Sequence, residues 1–388
     1  MAPSPSSVAV PERGLRIVHC FRSPVGGIFR HVRDLALAQI ADGHSVGIVC
    51  DSSTGGAREE DLFREIAPLL PLGLNRVPMK RQISPTDFVA LMRVFRSIKA
   101  LNPDVIHTHG AKGGVYGRMI GTFLRVSGSR VARIYCPHGG SLHYDPRSHS
   151  GRVFFALERL MERITDAFVF VSRYEADAYA AKVGRPTKPW RIAPNGIRPE
   201  EFVPVRENAD AADFLYIGMM RDLKGPDLFI DALARLRDQR GVAPTAEIVG
   251  DGPDKPRYVA KAERLGLSAT TRFHDAMPAR AAFATARIVV VPSRAESMPY
   301  IVLEAIAAGR PLVATRVGGI PEIFDAAADR LVRPGDEPAL AEAMAALLDD
   351  PERAQMEAEA LRASIEPRFS VEAMAANVAG LYSASLAR

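Results

Sequence analysis

Short apolar runs rich in β-branched residues alternate along this sequence with segments of helical periodicity, and this alternation limits the possible folds most strongly. In the first half, the predicted strands are Leu15–Cys20, Val46–Cys50, Asp104–His109, Arg133–Pro137, Ala167–Ser172 and Arg191–Pro194. In the second half, they are Phe214–Gly218, Ala246–Gly250, Arg272–His274, Ile288–Pro292, Leu312–Thr315 and Leu331–Arg333. Helical patterns lie between several of them, as at Ile28–Ala41 and Thr86–Leu101. A chain that alternates in this way forms a parallel sheet with helices on both faces.

The alternation runs twice, with a break near Asn195–Asp213, a segment rich in Pro, Asn and acidic residues that is typical of a linker. The chain has 388 residues and an apolar content of 47%, which is enough for two domains that each bury a core. We therefore predict an α/β protein of two doubly wound, Rossmann-like domains, at about 1–200 and 205–370. Their strands' carboxyl ends, where such sheets bind ligands, are expected to face a central cleft.

Three cysteines, Cys20, Cys50 and Cys136, are scattered without paired spacing. This distribution argues against a disulfide framework and a zinc site, and predicts small buried residues in a reducing compartment. The first 14 residues lack the pattern of a signal peptide, and no apolar run reaches the about 18 residues of a membrane span. The expected location is the cytoplasm, with the inner face of the cell membrane as a peripheral alternative.

Charge is distributed unevenly around a net value of +5: residues 76–133 carry eleven Lys/Arg against two Asp, whereas residues 335–366 carry nine acids. The predicted helix Thr86–Leu101 places Arg93, Arg96 and Lys99 beside an apolar face of Phe88, Leu91, Met92, Phe95, Ile98 and Leu101. Such a helix either lies on anionic lipid or packs normally on its own sheet, and the pattern leaves both open. The low aromatic content, 7%, and the lack of a recognised motif argue against nucleic-acid binding.

Two glutamates, Glu296 and Glu304, stand eight positions apart directly after the apolar run 287–293 and across the start of a predicted helix. A strand that leads into a helix is where α/β proteins bind anions, because helix-start amides point at the ligand. Acidic residues at the same place suit hydroxyl groups. A ligand that carries both phosphates and hydroxyls, such as a nucleotide-sugar, fits this pattern.

Three glycine-containing turns repeat the strand-to-helix arrangement. Gly26 and Gly27 follow the first predicted strand, and Gly318 and Gly319 follow a later one. In the third turn, Arg221 and Lys224 place two cations that suit a diphosphate. Taken singly, each turn is as consistent with an ordinary connection or a solvated surface as with a ligand-binding loop.

Histidines also mark strand ends in the first half. His107 and His109 end one predicted strand, and His138 follows another. With His143 they raise the possibility of a metal site, but no acidic residue with ligand spacing accompanies them. We therefore expect neither a metal nor another cofactor.

Together these segments resemble the retaining glycosyltransferases of family 4, which have the GT-B fold, and among them those of bacterial exopolysaccharide and cell-envelope assembly. The most specific match is the pair Glu296 and Glu304, followed by residues 305–314 and by Gly318–Glu322. Asn195-Gly196, Lys224-Gly225 and the segment 250–253 match as well. The resemblance extends over nearly the whole chain.

The resemblance implies a role for each matched residue. Glu296 would bind the donor sugar hydroxyls and Glu304 the ribose hydroxyls, while Arg221 and Lys224 would hold the diphosphate in place of a divalent metal. The remaining positions implied in catalysis or nucleotide-sugar binding are His138, Gly26, Gly27, Ser297, Met298, Pro299, Gly318 and Gly319. Two positions depart from the family pattern: Met219 stands where the clamp arginine is common, and Ser297-Met298 stands where Gly-Phe is common.

The implied activity is transfer of a sugar, with retention and without a metal, from a nucleotide-sugar that is most simply UDP-linked. The implied acceptor is linked to a lipid such as a polyprenyl diphosphate, or is a polysaccharide. It would bind the N-terminal domain, onto which a helix at about 370–388 would pack back. Two alternatives remain open: a nucleotide-sugar epimerase on the same fold, and a non-catalytic polysaccharide-assembly protein.

Overall fold

The computed structural model describes residues 14–80 and 86–387, so most of the N-terminal stretch discussed above lies outside the described residues. The chain divides into two compact units, one made of residues up to Gly196 together with those from Val371 on, the other of Ile197–Ser370. Each contains its own parallel sheet. The first boundary therefore falls at the start of the predicted linker.

The sheet of the first unit has seven described strands in the order β3-β2-β1-β4-β5-β6-β7, all parallel. The strands are β1 (Arg16–Phe21), β2 (Ser45–Asp51), β3 (Leu74–Val77), β4 (Val105–His109), β5 (Ala132–Cys136), β6 (Ala167–Phe170) and β7 (Trp190–Ile192). The helices are α1 (Gly26–Ala41), α2 (Ala57–Ile66), α3 (Thr86–Leu101), α4 (Ala111–Val126), α5 (His149–Glu162) and α6 (Arg173–Lys182).

The sheet of the second unit has five described strands in the order β10-β9-β8-β11-β12, again all parallel. The strands are β8 (Ala212–Ile217), β9 (Ala246–Val249), β10 (Thr271–His274), β11 (Ala286–Val291) and β12 (Leu312–Ala314). The helices are α7 (Pro226–Arg240), α8 (Lys255–Arg264), α9 (Ala279–Phe283), α10 (Tyr300–Ala307), α11 (Ile320–Phe324), α12 (Glu337–Asp349) and α13 (Pro351–Ile365).

Parallel strands of this kind are buried on both faces, which explains their nearly continuous apolar sequences. Every residue of β4 and of β5 is buried. The register aligns the last residues of neighbouring strands: Phe21 pairs with Cys50 and with His109, and His109 pairs with Cys136. The loops that leave these strands therefore begin at one edge of the sheet.

The last helix, α14 (Val371–Leu386), belongs to the first unit. It packs against α1 and against β5, β6 and β7. Its residue Tyr382 is fully buried, and its hydroxyl lies 2.7 Å from Nδ1 of His107. The chain end thus contributes a polar group to the interior of this unit.

Three sequence predictions need correction. Leu331–Arg333 is not a strand: only Val332 pairs, with Thr315, and Pro334 follows with no amide hydrogen to extend the ladder. The strand β3 was not predicted, because its residues contain a single β-branched side chain. On α3 the buried residues are Ala90, Val94 and Ile98, whereas Phe88 is 70% exposed.

Part of the basic excess in residues 76–133 is internal rather than on the surface. Arg118 is fully buried and pairs with Glu158 at 3.1 Å, and Arg133 pairs with Asp166 at 2.9 Å. The three cysteines are free and buried, as predicted. Among the described helices, none combines the length and the apolar character needed to cross a bilayer.

Candidate functional site

In the second unit, the loops after the adjacent strands β8 and β11 bring Lys224 and Glu296 together. The Nζ of Lys224 donates to both carboxylate oxygens of Glu296, at 2.6 and 2.8 Å, and Oγ of Ser293 donates to Oε1 at 2.8 Å. Glu296 is only 7% exposed. Burial of a carboxylate is costly unless a cation and hydrogen-bond donors are paired with it, and these two neighbours supply them.

Arg294 ties the two loops to each other. Its guanidinium forms a two-pronged pair with Asp227, with Nη1–Oδ1 at 2.8 Å and Nη2–Oδ2 at 2.5 Å, and its amide donates to the carbonyl of Leu223 at 2.9 Å. Burial works to raise the pKa of the Asp227 carboxyl, but the hydrogen bonds and charge of Arg294 outweigh it and the pKa is lowered. Sequence reasoning missed Arg294, although its position two residues before Glu296 was a usable signal.

Glycines allow the loops to approach this closely. At Gly225, with φ of +68°, an added Cβ would lie 2.2 Å from the carbonyl oxygen of Pro292. At Gly318, with φ of +58°, it would lie 2.1 Å from the carbonyl oxygen of Glu296. The amide of Gly319 donates to the carbonyl of Ser297 at 2.6 Å. The predicted Gly318–Gly319 turn thus packs against the backbone of the loop that carries Glu296, here called the acidic loop.

The remaining predicted residues of this unit lie nearby in the chain but differ in environment. Arg221 is exposed, with Nη1 3.8 Å from the sulfur of Met219. Met298 and Pro299 are buried and Ser297 is half-buried. Glu304 is half-buried on α10, which begins only at Tyr300. Because residues 296–299 precede that helix, Glu296 and Glu304 do not lie on one continuous helix.

In the first unit, the glycine turn after β1 starts α1. Gly26 and Gly27 are exposed, and Gly26 has φ of +63° with open space around the position of a Cβ. The N-cap residue, Val25, makes no side-chain capping hydrogen bond. The first amides of α1 therefore have no side-chain cap, which is the arrangement that binds anionic groups at helix starts.

His138 lies in the turn after β5 with φ of +53°, a left-handed conformation that is strained for a side chain of this kind. The carboxylate of Glu175 shapes the turn by accepting hydrogen bonds from the amides of Gly139 and Val171.

His138 is one end of a chain of hydrogen-bonded side chains. Its Nε2 lies 3.0 Å from Nδ1 of His109, and Nε2 of His109 lies 3.0 Å from Nδ1 of His19. His19 Nε2 in turn lies 2.8 Å from the side-chain oxygen of Gln39, whose amide nitrogen donates to the Tyr382 hydroxyl at 3.1 Å. The chain therefore extends from the strand-end turn to the last helix.

Two further histidines complete the cluster. His107 contacts Tyr382, and Nδ1 of His31 lies 2.9 Å from Oδ1 of Asn195. The ring nitrogens of His19, His107 and His109 lie within 4.8 Å of one another, as do those of His31, His109 and His138. His143, considered with this group from the sequence, is exposed on a separate turn and belongs to neither set.

Sequence reasoning missed His19 and His31, because one lies within a strand and the other within a helix. Burial lowers the pKa of His19 and of His31 to about 4. Burial, with repulsion from neighbouring histidines, holds the pKa of His107, His109 and His138 well below the usual range. At neutral pH the cluster is therefore uncharged and presents neutral imidazoles.

Comparison with known proteins gives matches over most of the chain. Residues 25–201 match the family described as Glycosyltransferase Family 4, and residues 211–350 match Glycosyl transferases group 1. A glycogen synthase of Mycobacterium tuberculosis is 27% identical over an alignment of 390 positions, and the alignment covers 93% of this chain and 92% of that protein. A D-inositol 3-phosphate glycosyltransferase of Corynebacterium glutamicum is 28% identical over 343 residues, covering 81% and 80%.

A similar solved structure is that of HepE from Anabaena in complex with UDP and glucose. It has a TM-score of 0.76 and 19% sequence identity, and covers 95% of this chain and 99% of that one. The similarity to this structure shows the fold of the two parallel-sheet units, whereas the family matches are matches of sequence. The chain is therefore a glycosyltransferase that belongs to family 4 and has the GT-B fold.

Proposed function

We propose that this protein transfers a sugar, with retention and without a metal, from a UDP-linked donor to a lipid-linked or polysaccharide acceptor. The observation that carries the proposal is the buried Glu296 held by Lys224 at the ends of β8 and β11. The carboxylate is suited to hydroxyls of the donor sugar. The side chain of Lys224 is 32% exposed, so its charge is accessible to a ligand's phosphates.

The chemistry requires a fixed cation near the leaving group. As the bond to the sugar breaks, positive charge develops on the sugar and negative charge on the nucleotide diphosphate. Lys224, with the exposed Arg221, is suited to stabilise that negative charge without a metal. Glu304 is assigned to the ribose hydroxyls by resemblance to the family.

In retention of this type, the acceptor attacks the face that the diphosphate leaves, and the departing phosphate takes the acceptor proton. Glu296 is already neutralised by Lys224 and hydrogen-bonded by Ser293. It is therefore assigned to binding and not to nucleophilic attack, unlike the carboxylates of glycoside hydrolases. By resemblance to the family, His138 is assigned to the transferred sugar. Gly26 and Gly27, at the start of α1, are assigned to the diphosphate and the acceptor in the same way.

A lipid-linked acceptor is favoured by one surface of the first unit. Phe88 on α3 is 70% exposed, and Phe123 and Val126 on the neighbouring α4 are 48% and 85% exposed. The basic stripe, Arg93, Arg96 and Lys99, is exposed on the same helix as Phe88. Apolar groups flanked by cations suit the surface of an anionic membrane, so we place the protein at the inner face of the cell membrane.

The test is to incubate the protein with a panel of nucleotide-sugars, with and without a membrane lipid or polysaccharide fraction, and to follow release of the nucleotide diphosphate. Acceptor-dependent release that persists in the presence of EDTA is expected. Lys224→Met should abolish it. The matched control Lys261→Met, which removes the Lys261–Asp231 pair on α8 and α7, should retain it.

The other outcomes separate the alternatives. A changed sugar without diphosphate release would indicate an epimerase. Tight donor binding without any turnover would indicate a non-catalytic assembly protein. Release that needs a divalent ion would contradict the assignment of Lys224 and Arg221 as the substitute for a metal.

A further inference from the structure

Three ring nitrogens converge at the edge of the first sheet. They belong to His31 of α1, His109 at the end of β4 and His138 after β5, and lie within 4.8 Å of one another. Nδ1 of His109 and Nε2 of His138 are already 3.0 Å apart. Two nitrogens bound to one tetrahedral Zn²⁺ at about 2.0–2.1 Å stand about 3.3 Å apart. A shift of a few tenths of an ångström, together with a rotation of the two rings that turns their nitrogens from each other towards a common point, would let both bind the same ion.

His31 contributes a buried ring nitrogen without a hydrogen-bond partner among the described residues. Its Nδ1 faces the side-chain oxygen of Asn195, which only accepts, so Nδ1 carries the ring proton and Nε2 does not. Nε2 is buried, and within residues 14–80 and 86–387 it has no hydrogen-bond partner. An unpaired buried acceptor is costly to a fold, and a bound cation would remove that cost.

The tautomer of His109 is fixed by the hydrogen bond that its other ring nitrogen, Nε2, makes with His19. The Gln39 oxygen accepts from Nε2 of His19, so Nδ1 of His19 must accept from Nε2 of His109. The Nδ1 lone pair of His109 therefore points towards His138. Metal-binding histidines characteristically donate their second ring N–H to a neighbouring acceptor in this manner, which fixes the tautomer that can bind.

We propose that His31, His109 and His138 bind one Zn²⁺ ion, with solvent at the fourth position. Three neutral imidazoles are a known zinc ligand set, and imidazole selects zinc over magnesium or calcium. The acidic neighbour whose absence argued against a metal in the sequence is not required by this set. The second group, His19, His107 and His109, is fully buried, whereas His138 is partly exposed and gives an ion access.

Binding requires His138 to move its ring proton from Nε2 to Nδ1, so that Nε2 can coordinate the ion. A consequence follows that rests on the proposed function. The ion would hold His138 and add two positive charges where the transferred sugar itself becomes positive. Zinc at this site would therefore inhibit sugar transfer, and its removal would restore it.

The experiment uses the full chain without a histidine tag, stripped with EDTA and dialysed. Zinc affinity is measured by competition with a chromophoric chelator, and Co²⁺ is used as a spectroscopic substitute. One equivalent of zinc and the visible absorption of four-coordinate, nitrogen-bound Co²⁺ are expected. His31→Ala should weaken zinc binding by more than about a hundredfold, and Asn195→Ala by about 10- to 100-fold.

Two variants guard against misinterpretation. His138→Asn suits the left-handed backbone at this position and should also lose the ion without unfolding. His149→Ala removes an exposed histidine at the start of α5 and should bind zinc as the wild type does. Binding that persists in both His31→Ala and His138→Asn, or that is lost in His149→Ala, would overturn the site. Diphosphate release unaffected by saturating zinc would overturn the inhibition. Because zinc binding is measured without a donor, its failure is independent of failure of the transferase assignment.

Discussion

Mild acid should destabilise the first unit, because its histidines are buried uncharged. Burial lowers the pKa of His19 and of His31 from 6.5 to about 4. The unfolded chain therefore takes up protons first as the pH falls. Stability is complete above about pH 6.5 and is lost progressively towards pH 4. At pH 5 the cost is about 2 kcal/mol for each of the two groups, or about 4 kcal/mol together.

The loss is measurable because the chain contains a single tryptophan, Trp190, which lies on β7 of the affected unit. Urea unfolding followed by its fluorescence, with EDTA present, reports on this unit alone. With a slope of about 2 kcal/mol per molar urea, the midpoint should fall by about 2 M between pH 7.5 and pH 5. His107, His109 and His138 add to the loss, since their pKa values are lower still.

A matched pair of variants tests the cause. His31→Gln keeps a hydrogen-bond donor for Asn195 but cannot be protonated, so its pH-dependent loss should be smaller by about 2 kcal/mol at pH 5. His149→Gln alters an exposed histidine and should respond to pH as the wild type does. A midpoint that is independent of pH from 7.5 to 5, or equal pH responses of His31→Gln and the wild type, would refute the reasoning.

Two further predictions concern the acidic loop and the surface. Gly318→Ala should destabilise the second unit by about 3–5 kcal/mol, because of the positive φ and the clash with the Glu296 carbonyl. The control Gly241→Ala, which has a positive φ but open space around the added Cβ, should cost about 1–2 kcal/mol. Equal losses in calorimetric unfolding would contradict the close contact at Gly318. Neutralising the basic stripe should weaken binding to anionic vesicles by about a hundredfold, from about 1 kcal/mol for each of the three charges, while neutralising three exposed arginines of the second unit (Arg257, Arg287 and Arg353) should not. Unchanged sedimentation with vesicles would leave α3 an ordinary surface helix.

The alternation of strands and helices predicted the two-sheet fold because parallel strands buried on both faces have a strong sequence signal. The signal fails where burial is partial. The edge strand β3 has a mixed sequence and was missed. On α3, periodicity identified the helix but assigned the wrong residues to its buried face. The small residues Ala90 and Val94 are buried, whereas Phe88 is exposed.

Individual residues of the candidate site could be predicted from the sequence, but the contacts between them could not. Lys224 and Glu296 were both identified, yet their ion pair depends on β8 and β11 being neighbours, which local pattern does not reveal. His19 could not be told from an ordinary core residue, since only the register of β1 with β4 pairs it with His107. Arg294 and Asn195 act by orienting other side chains, Asp227 and His31, which lie too far away in the chain for local spacing to reveal the contact.

The most direct test of the central claim is the rate of donor-derived diphosphate release by Glu296→Gln. Glutamine preserves the shape of the side chain but removes the charge that Lys224 binds. The rate should fall by about 100- to 1000-fold with the fold intact. The control Glu337→Gln, which breaks the Arg235–Glu337 pair of α7 and α12, should keep the wild-type rate. A folded Glu296→Gln variant with a rate within a few-fold of the wild type would contradict the role of this site in sugar transfer.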